Sequence, residues 1–393
     1  MPAKEYMTAS ISPLTSRDLI EKAFRREKTG RIPVNHRGFS CKAASYILGR
    51  EAFVGGGIQH WREAKSLLEG WHNEFVERSF QDAVAVSRAT GQDLMRCEYW
   101  RFNKKPTRKL DDYTFLFEDG PKETWQILRF DPESEQAQAE LLHPRPNVEG
   151  TLCDHIRAME KTAASFQPTE ESLRPELRAQ TLYPDKAIEI GGGGVGIPHD
   201  SSLWLEAMLL NPEIVEDYIS YQVEMARKMI PFRVQHGFRF IRGGGDFASN
   251  SGPMYSPALF RQLILPGIKE VAAICHQHGA YYLFASDGNL WPVADDLFGE
   301  SGIDGYYEVD RRAGMDLNRL RQMFPKLTLI GNISSQTVAQ GTPDDVKAEA
   351  LSCLETAHTY GGVIVGISNY IQPETPPQNI DILLKTIEEN RGR

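Results

Sequence analysis

The stretch GFRFIRGGGD (237–246), answered after a helical interval by AYYLFASDGN (280–289), decides the fold. Each is a short β-branched or aromatic run that ends in Gly, Asp or Asn, the pattern of a buried parallel strand opening into a loop. Four more runs of this kind flank them: KAIEIGGGGVG (186–196), DGYYEVD (304–310), LTLIGNIS (327–334) and GGVIVGISNYI (361–371). Helix signals fill the intervals. Ile214, Val215, Tyr218, Ile219 and Val223 recur at helical spacing before a stop at Gly237. Ser256-Pro257 opens the next helix, with Pro at its first position, and Gly279 closes it. Thr342, with Asp344 and Asp345 behind it, opens another by a hydroxyl cap and first-turn acids. The alternation implies parallel strands joined by right-handed crossovers.

Upstream, RIPVNH (31–36) and GQDLMRCEYW (91–100) supply two further strands. The first follows a helical extension over 13–30, read with Ser16 as N-cap and an end near Lys28. The second follows the helix FVERSFQDAVAVSRATG, which Gly91 ends. Two strands and six make eight, and eight βα units close into a barrel. The expected fold is α/β, a single (β/α)8 TIM-barrel domain spanning 1–393, with its clearest repeats over 186–391. Residues from about 101 to 185 break the alternation with a hairpin pattern, TFLFEDGPKETWQIL, and a helix, TLCDHIRAMEKTAASF. They read as an insertion after the second strand, near the barrel mouth.

Composition narrows the class. Of 393 residues, 41% are hydrophobic and 25% charged, which is ordinary globular usage and excludes a disordered or collagen-like chain. No uncharged apolar run is long enough to span a bilayer, and the first residues lack a secretory pattern, so a cytoplasmic enzyme is expected. A net charge of −9 without a Lys/Arg stripe argues against nucleic acid as a partner. The five cysteines are scattered, with no CxxC or CxH spacing, and read as reduced, buried thiols.

A barrel's chemistry sits where its strands end. Those ends carry Asn35-His36-Arg37, Glu98-Tyr99, Asp246, Asp287 with Asn289, Glu308, Asn332, and Ser368-Asn369-Tyr370. Such a carboxylate and carboxamide rim suits a ligand with several N–H and C=O groups, and it suits proton transfer. Asp246, Asp287 and His36 are the candidate catalytic residues; the others are candidates for binding substrate. Asp246 and Asp287 could equally cap the helices that follow them. Arg37 is apt for a carboxylate-bearing ligand. The glycine runs 191–196 and 243–245 match no phosphate-loop pattern, so tight turns or close backbone approach are expected there. Cys275, His276 and His278 read as a helix end, not a metal cluster.

From Gly237 onward the chain resembles the uroporphyrinogen decarboxylase superfamily. The resemblance lies in GGGDFASNSGPMYSPALFRQLILPGIKEVAAICHQHG, FASDGN, LIGNIS, GTPDDVKAEA and PETPPQNI, with a weaker likeness at RIPVNHRG and GQDL. That superfamily holds tetrapyrrole decarboxylases and methyltransferases that serve corrinoid proteins. Haem-pathway members carry an Arg-Gln-Ala-Gly-Arg stretch that grips substrate carboxylates; the segment here is Pro33-Val34-Asn35-His36-Arg37-Gly38, with one Arg in reach. Zinc-dependent methyltransferases of the family carry His-x-Cys after the fifth strand and Cys after the eighth. Ala285, Asp287 and Ser368-Asn369 stand at those places, so no tightly bound metal is expected. The resemblance thus implies methyl transfer between a corrinoid (cobalamin) protein and tetrahydrofolate, or a small methyl donor, without a zinc-bound thiolate. Asp246 or Asp287 would carry the proton, and Asn289, Asn332 and Asn369 would hold the pterin amide edge. The alternative is decarboxylation of a pyrrole, porphyrinogen or aromatic acid, with His36 and Arg37 anchoring or protonating. The expected partners are a small-molecule substrate and a corrinoid protein, with a homodimer as the candidate assembly.

Overall fold

The computed structural model describes residues 14–99, 101–118, 125–143, 151–198 and 201–392. Seven parallel strands form one curled sheet. In spatial order they are Val363–Ile364, Thr328–Ile330, Gly305–Tyr307, Tyr281–Ala285, Phe240–Gly244, Ala187–Gly194 and Leu94–Met95. The expected first strand is reduced to a single bridge, Val34 to Val365. That bridge nevertheless closes the ring. The Asn35 N–H donates to Val365 O, the Val365 N–H to Pro33 O, and on the other side the Asp93 N–H donates to Val34 O at 2.8 Å. The fold is the expected TIM-barrel-like α/β architecture, with one of its eight strands shortened almost to nothing.

The helix Ser16–Phe24 seals one end. Its cap is Thr15, not Ser16: the Thr15 hydroxyl and the Asp18 carboxylate form a reciprocal capping box, and the helix stops four residues short of Lys28. Ser16 is freed to donate to Asp93 Oδ1 at 2.6 Å. Ile20, Ala23 and Phe24 then pack against Leu94, Ala187, Phe240 and Leu283 near the starts of four strands, so the helix plugs the N-terminal end of the barrel. Phe24 packs at a tilt against Phe240 and Tyr281 at centroid distances of 5.3 and 4.7 Å.

The insertion is larger than one hairpin. Arg108–Lys109, Thr114–Glu118, Trp125–Asp131 and Gln136–His143 form a four-stranded antiparallel sheet. The outer two strands lack clean alternation and gave no signal in the sequence; the turn expected at Asp119-Gly120-Pro121 lies outside the described residues. Phe115, Phe117 and Leu128 of this sheet pack on Trp61, Ala64 and Leu68 of the helix Gly57–Glu69. The predicted helix follows as Cys153–Ser165. Cys41, Cys97, Cys275 and Cys353 are buried free thiols, and Cys153 is half-buried. No helix among the described residues is long and apolar enough to cross a membrane.

Asp93 holds the closure. Its buried carboxylate accepts from Ser16 Oγ, from Arg31 Nη2 at 2.9 Å, from the Val34 N–H at 3.0 Å and from Arg391 Nη2. Arg391, 3% exposed, also donates to Ile32 O and Gly91 O. Removing the carboxylate strands a buried guanidinium. Asp93→Ala should therefore cost about 3–5 kcal/mol, read as a shifted urea midpoint, and Asp93→Asn less. A loss within ordinary surface-mutation range would show that the closure does not depend on this group.

Candidate active site

Charged side chains occupy the barrel interior above the apolar plug. Arg96, Glu189 and Arg242 each sit inside a strand run, and Arg37 and Tyr307 join them. Glu189 Oε1 lies 3.3 Å from Arg242 Nε, an ion pair set off the hydrogen-bonding line, while the Tyr307 hydroxyl donates to Oε2. Burial opposes charge on Glu189, yet Arg242, Arg37 and Arg96 together hold its carboxyl below the usual range. Arg37 Nε donates to Glu308 Oε1 at 2.6 Å, and its guanidinium lies over the Tyr307 ring. Arg96 donates through Nε to Glu98 O at 2.7 Å and lies over the Tyr99 ring, 4.8 Å from its centroid.

This layer corrects the reading of Arg37 as the one arginine in reach. A charge inside an apolar strand run was the signal for the others: each is flanked by residues that face the other side. Glu308 adds a second mark. Its φ is +72°, a left-handed conformation that non-glycine residues rarely take, at the end of the sixth strand.

At the mouth, carboxylates gather. Asp287 accepts from Asn369 Nδ2 at 3.0 Å. Burial first, then the neighbouring charges of Asp246, Glu308 and Asp310, push its carboxyl up to about 6. It caps no helix; nor does Asp246, since the helix beyond it is capped by Ser256. Asp310 uses one oxygen to cap the short turn at Arg311–Ala313. A cavity of about 120 Å³ opens among Asp287, Glu308, Asp310, Ser368 and Asn369. A second, of about 30 Å³, lies among Arg37, Arg96, Tyr99, Glu308, Asn369 and Tyr370. Glu308 and Asn369 border both. A larger cavity, about 680 Å³, lies to one side, where Glu98 and Tyr99 meet the helix His72–Ala89 and residues 171–178. Its arginines are already paired: Arg101 with Glu63, Arg174 with Glu171 and Arg178 with Glu77.

Among the predicted residues, Arg37, Tyr99, Asp287, Glu308, Ser368, Asn369 and Tyr370 border the two mouth cavities, and Asp246 is exposed close enough to act on Asp287. Glu98 borders the side cavity. The other four are placed elsewhere. His36 is sealed at 3% exposure against Phe39; its Nδ1 accepts from the Ile367 N–H, and burial, then Arg391, presses its pKa down to about 3. It stays neutral and away from the cluster. Asn35 is buried with its amide donating to Leu94 O, and Asn332 is buried with its amide donating to Ile364 O. Asn289 accepts from the Trp291 N–H, a local turn.

The glycine runs bind chain to chain. A Cβ at Gly243 would run into Gly193 O, and one at Gly193 would meet the Tyr282 ring, so the third and fourth strands approach where both lack side chains. A register shift between Ile190 and Gly193 accompanies the contact. His276, at its helix end, pairs with Asp304 at 2.9 Å. Among the described residues, no three His, Cys, Asp or Glu side chains form a metal-holding group.

A polar mouth over a parallel barrel defines an α/β-barrel enzyme architecture with its chemistry at the C-terminal ends of the strands. Residues 194–390 match the profile of the uroporphyrinogen decarboxylase (URO-D) family, and the chain belongs to that family. A methyltransferase from Methanosarcina mazei has a similar structure, with 18% identity, a TM-score of 0.63, and 96% of this chain and 99% of that one covered. A methionine-synthase-like protein of the vitamin-B12-independent class from Listeria monocytogenes is more loosely similar, at 14% identity and a TM-score of 0.46, covering 91% of this chain and 97% of that one. No curated protein matches.

The raised Asp287 carboxyl has a stability consequence. A carboxyl whose folded pKa lies above its unfolded value destabilises the fold once it must ionise, and the cost grows between the two values. Asp287→Asn should therefore gain thermal stability relative to the parent as pH rises from about 4 to about 6, and the gain should then level off. Melting temperatures of both proteins across pH 4–8 check this; a difference that does not vary with pH would contradict it.

Proposed function

We propose that this protein is a URO-D-superfamily methyltransferase that moves a methyl group between a corrinoid protein and a small methyl donor or tetrahydrofolate, without a zinc-bound thiolate. The observation that carries the reading is Asp287, a carboxyl held near neutrality by burial and by three surrounding acids, at the strand end and in contact with Asn369. Methyl loss from an ether or amine leaves electron density on the heteroatom. A nearby carboxylic acid protonates that atom as the C–O or C–N bond breaks, and a pKa near the working pH suits the task. The corrinoid would supply the methyl acceptor when its carrier docks at the mouth. Asn369 orients the Asp287 carboxyl, Ser368 borders the same space, and Asp246 and Glu308 keep the proton in place by repelling the ionised form.

A small donor suits the mouth better than a folate. The cavities of about 120 and 30 Å³ fall well under the roughly 300 Å³ at which drug-sized ligands begin. Of the three asparagines expected to grip a pterin, Asn369 alone borders them.

The second reading is decarboxylation of a pyrrole or aromatic acid. Arg37, Arg96 and Arg242, gathered in one barrel, give it more cationic support than the sequence offered.

Purified protein incubated with reduced cobalamin and a panel of O- and N-methyl compounds tests the proposal by the change in the corrinoid absorbance spectrum. Methyl transfer is expected with at least one donor and should decline above about pH 6, where Asp287 loses its proton. Asp287→Asn should lower kcat by about 100-fold or more, the usual worth of a general acid. Release of CO2 from an aromatic acid or porphyrinogen, with no methyl transfer from any donor, would put the second reading in its place.

A further inference from the structure

We infer that the side cavity of about 680 Å³ is a second binding site, which takes a flat, uncharged nitrogen heterocycle with adjacent ring N–H and amino donors. Those donors lie on the Glu98 carboxylate, and the Tyr99 hydroxyl meets the polar edge beside them. The inference goes beyond the proposed methyl transfer and does not rest on it.

Size and wall chemistry point there. A volume of about 680 Å³ lies within the range of drug-sized ligands, and the two mouth cavities fall below it. Val76, Phe80, Tyr99 and Pro175 give the walls apolar surface. The charges around them nearly cancel. Arg174 pairs with Glu171, Arg178 with Glu77, and Arg101 donates through Nε to Glu63 at 2.7 Å. Glu98 is the carboxylate left over. Its Oε1 lies 3.7 Å from Arg101 Nη1, beyond hydrogen-bond reach, and its side chain accepts no hydrogen bond among the described residues. Partial burial raises its carboxyl above the ordinary value against the pull of Arg101. Tyr99 is the second unanswered group. It is 6% exposed, and its hydroxyl has no partner among the described residues. Burial lifts its pKa to about 12, so the hydroxyl stays protonated and can both donate and accept. A ligand can reach both groups: the Glu98 side chain is 41% exposed, and the Tyr99 oxygen is not sealed off.

These walls select against a charged ligand. A full cation would meet Arg101, Arg174 and Arg178, and an anion would meet Glu98 while each of those guanidiniums is already engaged. A neutral pair of N–H groups avoids both penalties. A carboxylate accepts two parallel N–H bonds, and adjacent ring N–H and amino groups present them in one plane. Guanine and pterin rings share that edge. Tyr99 also borders the mouth cavity that holds Arg37 and Arg96, so the heterocycle sits one side chain away from the mouth and not within it.

Calorimetric titration of the full chain tests this with guanosine beside inosine, and with 6-methylpterin beside 6-methyllumazine. The second compound of each pair lacks the amino group. At least one amino compound should bind about tenfold or more tightly than its counterpart, and the pair that discriminates tells a nucleoside ligand from a pterin. Glu98→Gln should remove the preference, and Tyr99→Phe should weaken both members of the pair severalfold. Val76→Trp, which fills the cavity without touching a polar group, should block both. The inference is overturned if the parent protein prefers neither amino compound, or if the preference survives Glu98→Gln. It is overturned too if Asp287→Asn removes the preference, since the ligand would then lie at the mouth. The titration needs neither turnover nor a corrinoid, so its failure and the failure of the methyl-transfer assay are separate results.

Discussion

The Asp93 carboxylate is the group on which the barrel's closure rests. A ring of parallel strands needs eight hydrogen-bonded seams, and here the first strand supplies a single bridging residue, Val34. A full ladder on that side is replaced by side-chain chemistry: one carboxylate takes the Val34 N–H, a serine of the plug helix, Arg31, and an arginine beyond the last helix. Ser16 of the plug helix and Arg391 after the last helix are thereby tied to the same seam. Because Arg37 lies three residues beyond Val34, the position of the cationic half of the mouth depends on that tie.

Above the seam the barrel interior changes character along its axis. Phe24, Leu94, Phe240 and Leu283 make a dry base. Glu189, Arg242, Tyr307 and Arg37 form a charged layer over it, and the acids of the mouth lie above that. The order has a physical reason. Buried charges persist only when partners and hydrogen bonds answer them, and the apolar base strengthens those pairings by excluding water. The layer is consequently a costly place to leave a charge unanswered.

The architecture of the second half was legible because buried parallel strands are dense in β-branched and aromatic residues, and their helices bear caps such as Thr342 with Asp345. The strand-end position of Asp287 followed from the same pattern, as did those of Glu308 and Asn369. Direction was the part that stayed hidden. Asn35, His36 and Arg37 are consecutive, yet Arg37 reaches Glu308 whereas His36 is sealed against Phe39. Alternation along a strand decides that, and a strand with one bridging residue offers too little pattern to set its phase. Arg96, Glu189 and Arg242 were visible as charges inside strand runs, but only the closed ring shows that they face one another. The outer strands of the inserted sheet depend on packing against Trp61 and Ala64, contacts that no local periodicity encodes.

Glu308 draws these threads together. It pairs with an arginine of the cationic half, lowers the acidity of Asp287 in the other half, and borders both cavities. Its backbone is held in the left-handed region by its own N–H bond to Ile330 O and the Val309 N–H bond to Gly331 O. Such a conformation costs of order 1 kcal/mol for a residue with a side chain, and a glycine there would avoid the cost. A glycine, however, would leave Arg37 without its 2.6 Å partner and would remove one of the three neighbouring charges that raise the Asp287 carboxyl. The strained glutamate is therefore explained by its two electrostatic duties. It fixes one guanidinium, and it stands between the cationic half of the mouth and the acidic half.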